Sequence, residues 1–150
     1  MSEENVNEEV VAEEVPEEEE EVEAEPWDSY KMPPDQELWE GGPNFKHIND
    51  WKDKYGDIYV TSLTPEKHFV WRTMYRPEYR QLVKTLETAL SNGTSQGIAN
   101  MDNEEAIVSL CMLSPTYDPN DPRHLAGTAG TISSQILEAS GFVSLEVRQL

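Results

Sequence analysis

A single cysteine, Cys111, stands in 150 residues. A lone thiol excludes an intrachain disulfide framework and suits a reducing compartment. Histidine is scarce too: His47, His68 and His124 lie far apart, and none has a second Cys or His at metal-ligand spacing. No apolar run approaches the ~18 residues that a membrane-spanning helix needs. The opening Met1-Ser2-Glu3-Glu4 has neither the basic start nor the apolar stretch of a secretory leader. Positive charge is in shortest supply, with 11 Lys and Arg against 30 Asp and Glu. Phosphate contacts need a positive surface, so nucleic-acid binding is disfavoured.

The acidity is uneven. Residues 1–28 hold 14 of the acidic side chains and no basic one, so the net charge of −19 divides into −14 there and −5 over residues 29–150. The only apolar residues between Glu3 and Glu25 are Val and Ala, apart from Pro16, too few to offset the entropy of ordering. Residues 1–28 are therefore expected to be a disordered, solubilising acidic tail. A mimic of nucleic acid aimed at a basic partner is the sharper alternative. Residues 29–46 form a linker rich in Pro and Gly, interrupted by Tyr30, Leu38, Trp39 and Phe45. It serves either as an aromatic strap or as a plain tether.

Residues 47–150 carry regular patterns. His47 to Tyr55 fits a short helix with Ile48, Trp51 and Tyr55 at helical spacing, stopped by Gly56. Ile58 to Leu63 and His68 to Tyr75 read as two strands joined at Thr64-Pro65, a hairpin. A helix is expected from Pro77 to Ser91, with Tyr79, Leu82, Val83, Leu86 and Leu90 as its apolar stripe and Asn92-Gly93 as its stop. Residues 92–101 read as loop. Asp102, with Glu105 three places on, resembles the cap of a second helix over Glu104 to Leu113, which is apolar nearly all round. A third helix starts near Gly127-Thr128, capped by Thr128, and runs to Ser140. Gly141 ends it, and Phe142 can fold back. Val143 to Leu150 fits strand and helix equally. The expected fold class is α+β, mainly helical: a small β-hairpin followed by a three-helix unit.

No catalytic constellation emerges. Cys111 lies inside an apolar helix with no neighbouring base, which favours core packing over a thiolate nucleophile. Asp118-Pro119-Asn120-Asp121 begins like a calcium loop but lacks its sixth-position Gly and distal Glu, so turn chemistry is expected. Ala126 to Thr131 is Gly-rich near a helix start, yet it has no P-loop Lys and misses the dinucleotide spacing. Lys67, Arg72, Arg76, Arg80 and Lys84, against Glu66 and Glu78, make one basic stretch. No cofactor and no metal site are expected.

The order of the motifs is informative. Ile48-Asn49-Asp50-Trp51-Lys52-x-Lys54-Tyr55-Gly56-Asp57-Ile58-Tyr59-Val60 is followed by Phe69-Val70-Trp71-Arg72 and by Arg76-Pro77-Glu78-Tyr79-Arg80-Gln81-Leu82. Glu104 to Val108, Cys111-Met112-Leu113-x-Pro115, Ala126-Gly127 and Ile136 to Phe142 complete the series. Over about residues 47–142 the chain resembles small tail or baseplate assembly proteins of tailed bacteriophages, described as tail assembly chaperones. It departs from them at Ser114, where similar proteins carry an aromatic residue before the proline, and in the short stretch after Phe142.

The resemblance implies a non-enzymatic chaperone in the host cytoplasm during infection. Such a protein keeps a tail component, such as the tape-measure protein, soluble until tube subunits polymerise around it. Its partners would be phage tail proteins, with no nucleic acid or membrane; self-association is left open by the sequence. Val108, Leu110, Met112 and Leu113 are the expected client-contact residues. A structural baseplate or tail protein of the virion is the nearest alternative. The acidic nucleic-acid mimic and an enzyme using Cys111 come after it.

Overall fold

In the computed structural model, residues 28–142 and Gln149 are described. The expected acidic tail, apart from Asp28, and the strand-or-helix segment after Phe142, apart from Gln149, lie outside them. The fold is α+β and mainly helical. Its elements are α1 (Phe45–Tyr55), β1 (Ile58–Thr64), β2 (Lys67–Arg72), α2 (Arg76–Ser91), α3 (Gln96–Cys111), β3 (Met112–Ser114) and α4 (Thr128–Leu137). A single 3-10 turn at Ser29–Lys31 precedes them, and a wide helical turn at Glu138–Phe142 follows.

The turn at Ser29–Lys31 packs on α1, whereas Trp39 packs on His68 of β2. Ser29 is fully buried, donates to Asn49 Oδ1 at 2.7 Å and accepts from Lys52 Nζ at 2.6 Å. Tyr30 donates to Asp53 at 2.7 Å. The chain then doubles back through a bridge between Glu37 and Asn44. Gly42 packs against the Trp39 ring so closely that a Cβ there would fall 2.5 Å from it. Asn44 accepts from the His47 N–H and caps α1, so the helix starts two residues before the expected His47 and buries Phe45 with Ile48.

The hairpin is present, and it is part of a larger sheet. β1 and β2 pair antiparallel from Ile58↔Arg72 to Ser62↔His68, and the sheet order is β1-β2-β3. The expected helix over Glu104 to Leu113 ends instead at Cys111. Met112–Ser114 then pairs with Trp71 and Val70 of β2. This third strand makes β2 the central one, which explains why it is buried from Phe69 to Arg72 without alternation. β2 also stops at Arg72 rather than at Tyr75. The Tyr75 N–H donates to Glu78 Oε1 at 3.0 Å, which commits that residue to the entry of α2.

Residues 96–101, expected as loop, are the first turns of α3. Ser95 is the cap, its hydroxyl accepting from the Ile98 N–H, and Asp102 lies inside the helix. The earlier start gives α2 a partner, because Ala99 and Ala106 are small enough to let the two helices approach. At α4, Gly127 rather than Thr128 takes the cap position, and regular helix ends at Leu137. Gly141, at φ +92, then turns the chain so that Phe142 packs on Tyr79 of α2, ring centroids 4.5 Å apart.

One core unites these pieces. Phe69, Trp71, Met74, Ile107, Val108, Cys111, Met112, Ile132 and Ile136 form a buried cluster between the sheet and α3 and α4. Inside it, Trp71 Nε1 donates to Thr61 Oγ1 at 2.8 Å, and Thr61 in turn bonds Gln135 of α4. Every buried polar side-chain atom among the described residues has a partner.

Candidate functional site

The residues singled out for chemistry scatter through the fold. Cys111 is fully buried, and burial pushes its thiol up to about 11, so it stays protonated at neutral pH. His47 stacks on Trp51, while His124 lies 5.2 Å from Tyr117 and 6.4 Å from Phe69. Among the described residues no group of three His, Cys, Asp or Glu side chains could hold a metal ion. The Asp118–Asp121 segment forms tight turns. Asp118 accepts from the Asn120 N–H at 2.9 Å, and Asp121 accepts from both the N–H and the guanidinium of Arg123. The Arg123 guanidinium holds the Asp121 carboxyl well below the usual carboxylate range.

One pair has the outward form of a catalytic dyad. Ser62 Oγ and His68 Nδ1 are 2.7 Å apart, and the His68 ring lies 4.9 Å from Trp39 at the edge of a cleft of about 430 Å³. These two residues are also direct cross-strand neighbours in the hairpin. Such neighbours on an exposed face commonly hydrogen-bond for the sheet's sake. No carboxylate orients the other imidazole nitrogen among the described hydrogen bonds, so this pair lacks the third member of a triad.

The basic stretch divides. Arg72 is 6 % exposed and forks onto both Glu78 oxygens at 2.9 Å, donates to the Leu110 carbonyl, and lies 4.8 Å from the centre of the Tyr55 ring. The Arg72 guanidinium holds the Glu78 carboxyl below its ordinary value. This is an anchor that ties β2, α1 and the start of α2 to the end of α3. Arg76, Arg80 and Lys84 are different. They follow one another at four-residue steps along α2, stand exposed, and form no ion pair among the described residues.

Among the described residues, three of the exposed large apolar side chains, Ile98, Met101 and Leu110, lie on the α2–α3 hairpin. α2 packs chiefly on α3, and none of its residues is fully buried, although Tyr79, Leu82, Val83, Leu86, Ala89 and Leu90 form an apolar stripe. A groove of about 90 Å³ between the helices is lined by Leu82, Leu86, Ala89, Ala99 and Ala106, among others. In the first turns of α3, up to Asp102, only Ala99 is buried. Ile98 and Met101 there are 52 % and 56 % exposed.

The expected client-contact residues do not form one surface. Val108 is fully buried and Met112 nearly so, both in the core cluster, so neither is presented to a partner by this fold. Leu110, 36 % exposed, and the half-buried Leu113 keep some contact with solvent. The exposed pair Ile98 and Met101 escapes sequence reasoning because residues 92–101 read as loop. The available signal is Ser95 followed by Ile98, Ala99 and Met101 at helical spacing.

No family model, curated protein or solved structure matches this chain.

Proposed function

We propose that the protein is a non-enzymatic assembly factor that holds an apolar segment of a phage tail component, such as a tape-measure protein, on the α2–α3 hairpin. The observation that carries this reading is the pair Ile98 and Met101, exposed one turn apart on the least covered part of α3. Large apolar side chains grouped on a surface mark interaction sites, and an unbranched methionine adapts to varied partners. The surrounding charge supports the same role, since a net −19 resists aggregation of a client complex. The phage setting rests on the motif order from Ile48 to Phe142.

The test is co-expression with the tail proteins of the phage that encodes it. The wild-type chain keeps one of them in the soluble fraction and co-purifies with it. The double variant Ile98→Glu, Met101→Glu loses that client while keeping its melting temperature within a few degrees, because both residues face solvent. Mass spectrometry then separates a chaperone, abundant in lysate and scarce in particles, from a tail or baseplate part present in fixed copy number. Retention of the client by the double variant overturns the proposed surface.

A further inference from the structure

α2 carries a pattern that the fold of one chain uses only in part: Tyr79 packs on Phe142 and Leu86 lines the groove with α3, while Val83 and Leu90 stay half-buried. Tyr79, Val83, Leu86 and Leu90 follow at steps of four, three and four, the spacing of a coiled-coil seam. The stripe of α2 is wide enough for two neighbours. Its Leu82, Leu86 and Ala89 side lines the groove with α3, whereas Val83 and Leu90 lie on the opposite edge, next to Arg80 and Glu87. Both charged residues are exposed, and neither forms an ion pair among the described residues.

We infer that this face of α2 is a homodimer seam, taken by α2 of a second copy running antiparallel. The assignment rests on self-complementarity. Arg80 and Glu87 are seven residues apart, so they hold the same flanking position beside the seam. A twofold axis near residue 84 sets Arg80 of each copy against Glu87 of the other, giving two reciprocal pairs, and stacks Val83 on Leu86 in the middle. A parallel arrangement would set that charged flank against the Leu82 and Ala89 side and leave all four charges unpaired. The product is an antiparallel four-helix bundle made from two α2–α3 hairpins. Two four-turn helices bury less than the ~1,200 Å² of a standard stable interface, so the dimer is weak, with a dissociation constant in the micromolar range. This inference does not depend on the client reading, because Ile98 and Met101 lie outside the seam.

Sedimentation equilibrium of the full chain, from about 1 μM to 1 mM in low salt, is the test. The expected wild-type behaviour is a monomer–dimer equilibrium. Arg80→Glu and Glu87→Arg each weaken dimerisation roughly tenfold by turning two attractions into repulsions. The two together restore it, a recovery that mere damage to the helix cannot give. Val83→Glu, with circular dichroism confirming the fold, abolishes the dimer. A chain that stays monomeric throughout overturns the inference, as does a dimer indifferent to all these changes. A wild-type monomer that dimerises only when residues 143–150 are removed also overturns it, because those residues would then be the occupant of the α2 face.

Discussion

Arg72 shows how one side chain can decide several elements at once. It lies on the central strand, yet its guanidinium bonds Glu78 in α2 and the Leu110 carbonyl in α3, beneath the Tyr55 ring of α1. Because Arg72 depresses the Glu78 carboxyl below its unfolded value, the pair's contribution is fully present above that unfolded value. It is lost as pH falls through the lower, folded one. Urea midpoints measured between pH 6 and pH 2 should therefore fall on acidification in the wild type and fall less in Glu78→Gln. At neutral pH that variant is expected to lose about 2–3 kcal/mol, since the almost buried guanidinium is left without its counter-charge. Equal acid sensitivity in the two proteins would show that the pair does not set the pH response. Nothing in the local sequence marks Arg72 as different from Arg76 or Arg80. Its burial follows from the central place of β2, which only the tertiary fold creates.

At the scale of elements, legibility tracks periodicity. α1 and α2 are readable because each repeats its apolar residues near 3.6 and ends on a Gly signal, and the β1–β2 hairpin because two β-favouring runs flank Thr64-Pro65. β3 is not readable. Three residues, Met112-Leu113-Ser114, contain no period, and the backbone leaves the helix for the sheet only because β2 offers an unpaired edge. The start of α3 is hidden for a related reason: Gly97 and Asn100 are poor helix formers, and helix forms there because Ala99 is covered by α2. Enlarging that contact tests the explanation. Ala99→Leu should cost about 1–3 kcal/mol by overpacking. Hydrogen exchange should quicken first in α2 and in residues 96–103, while the sheet stays protected. Uniform acceleration through the whole protein would instead mean that the hairpin folds only with the core.

For the whole molecule, charge and shape act on different surfaces. Arg76, Arg80 and Lys84, which form no ion pair among the described residues, gather on α2, whereas 13 of the 30 acidic residues precede Trp27. Like charges on two approaching copies repel, so deleting residues 1–27 should tighten self-association roughly tenfold at low ionic strength. The gain should vanish near 0.5 M salt, where the screening length is only a few ångströms. Sedimentation at two salt concentrations checks this, and weaker association of the shortened chain at low salt would count against it. The candidate surface was only partly legible in sequence. Leu110 and the α2 stripe could be read, but Val108 and Met112 look the same as surface residues until the third strand and α4 cover them.

The direct passage from α3 into β3 has a mechanical consequence. Cys111 ends the helix and Met112 begins the strand, with no loop to absorb motion between them. A load applied at Ile98 and Met101 therefore travels along a stiff rod about 20 Å long and arrives at a strand held by two register pairs, Trp71↔Met112 and Val70↔Ser114. Pulled from that end, the protein should yield first by peeling β3 from the sheet, at low force, while the longer β1–β2 ladder remains intact.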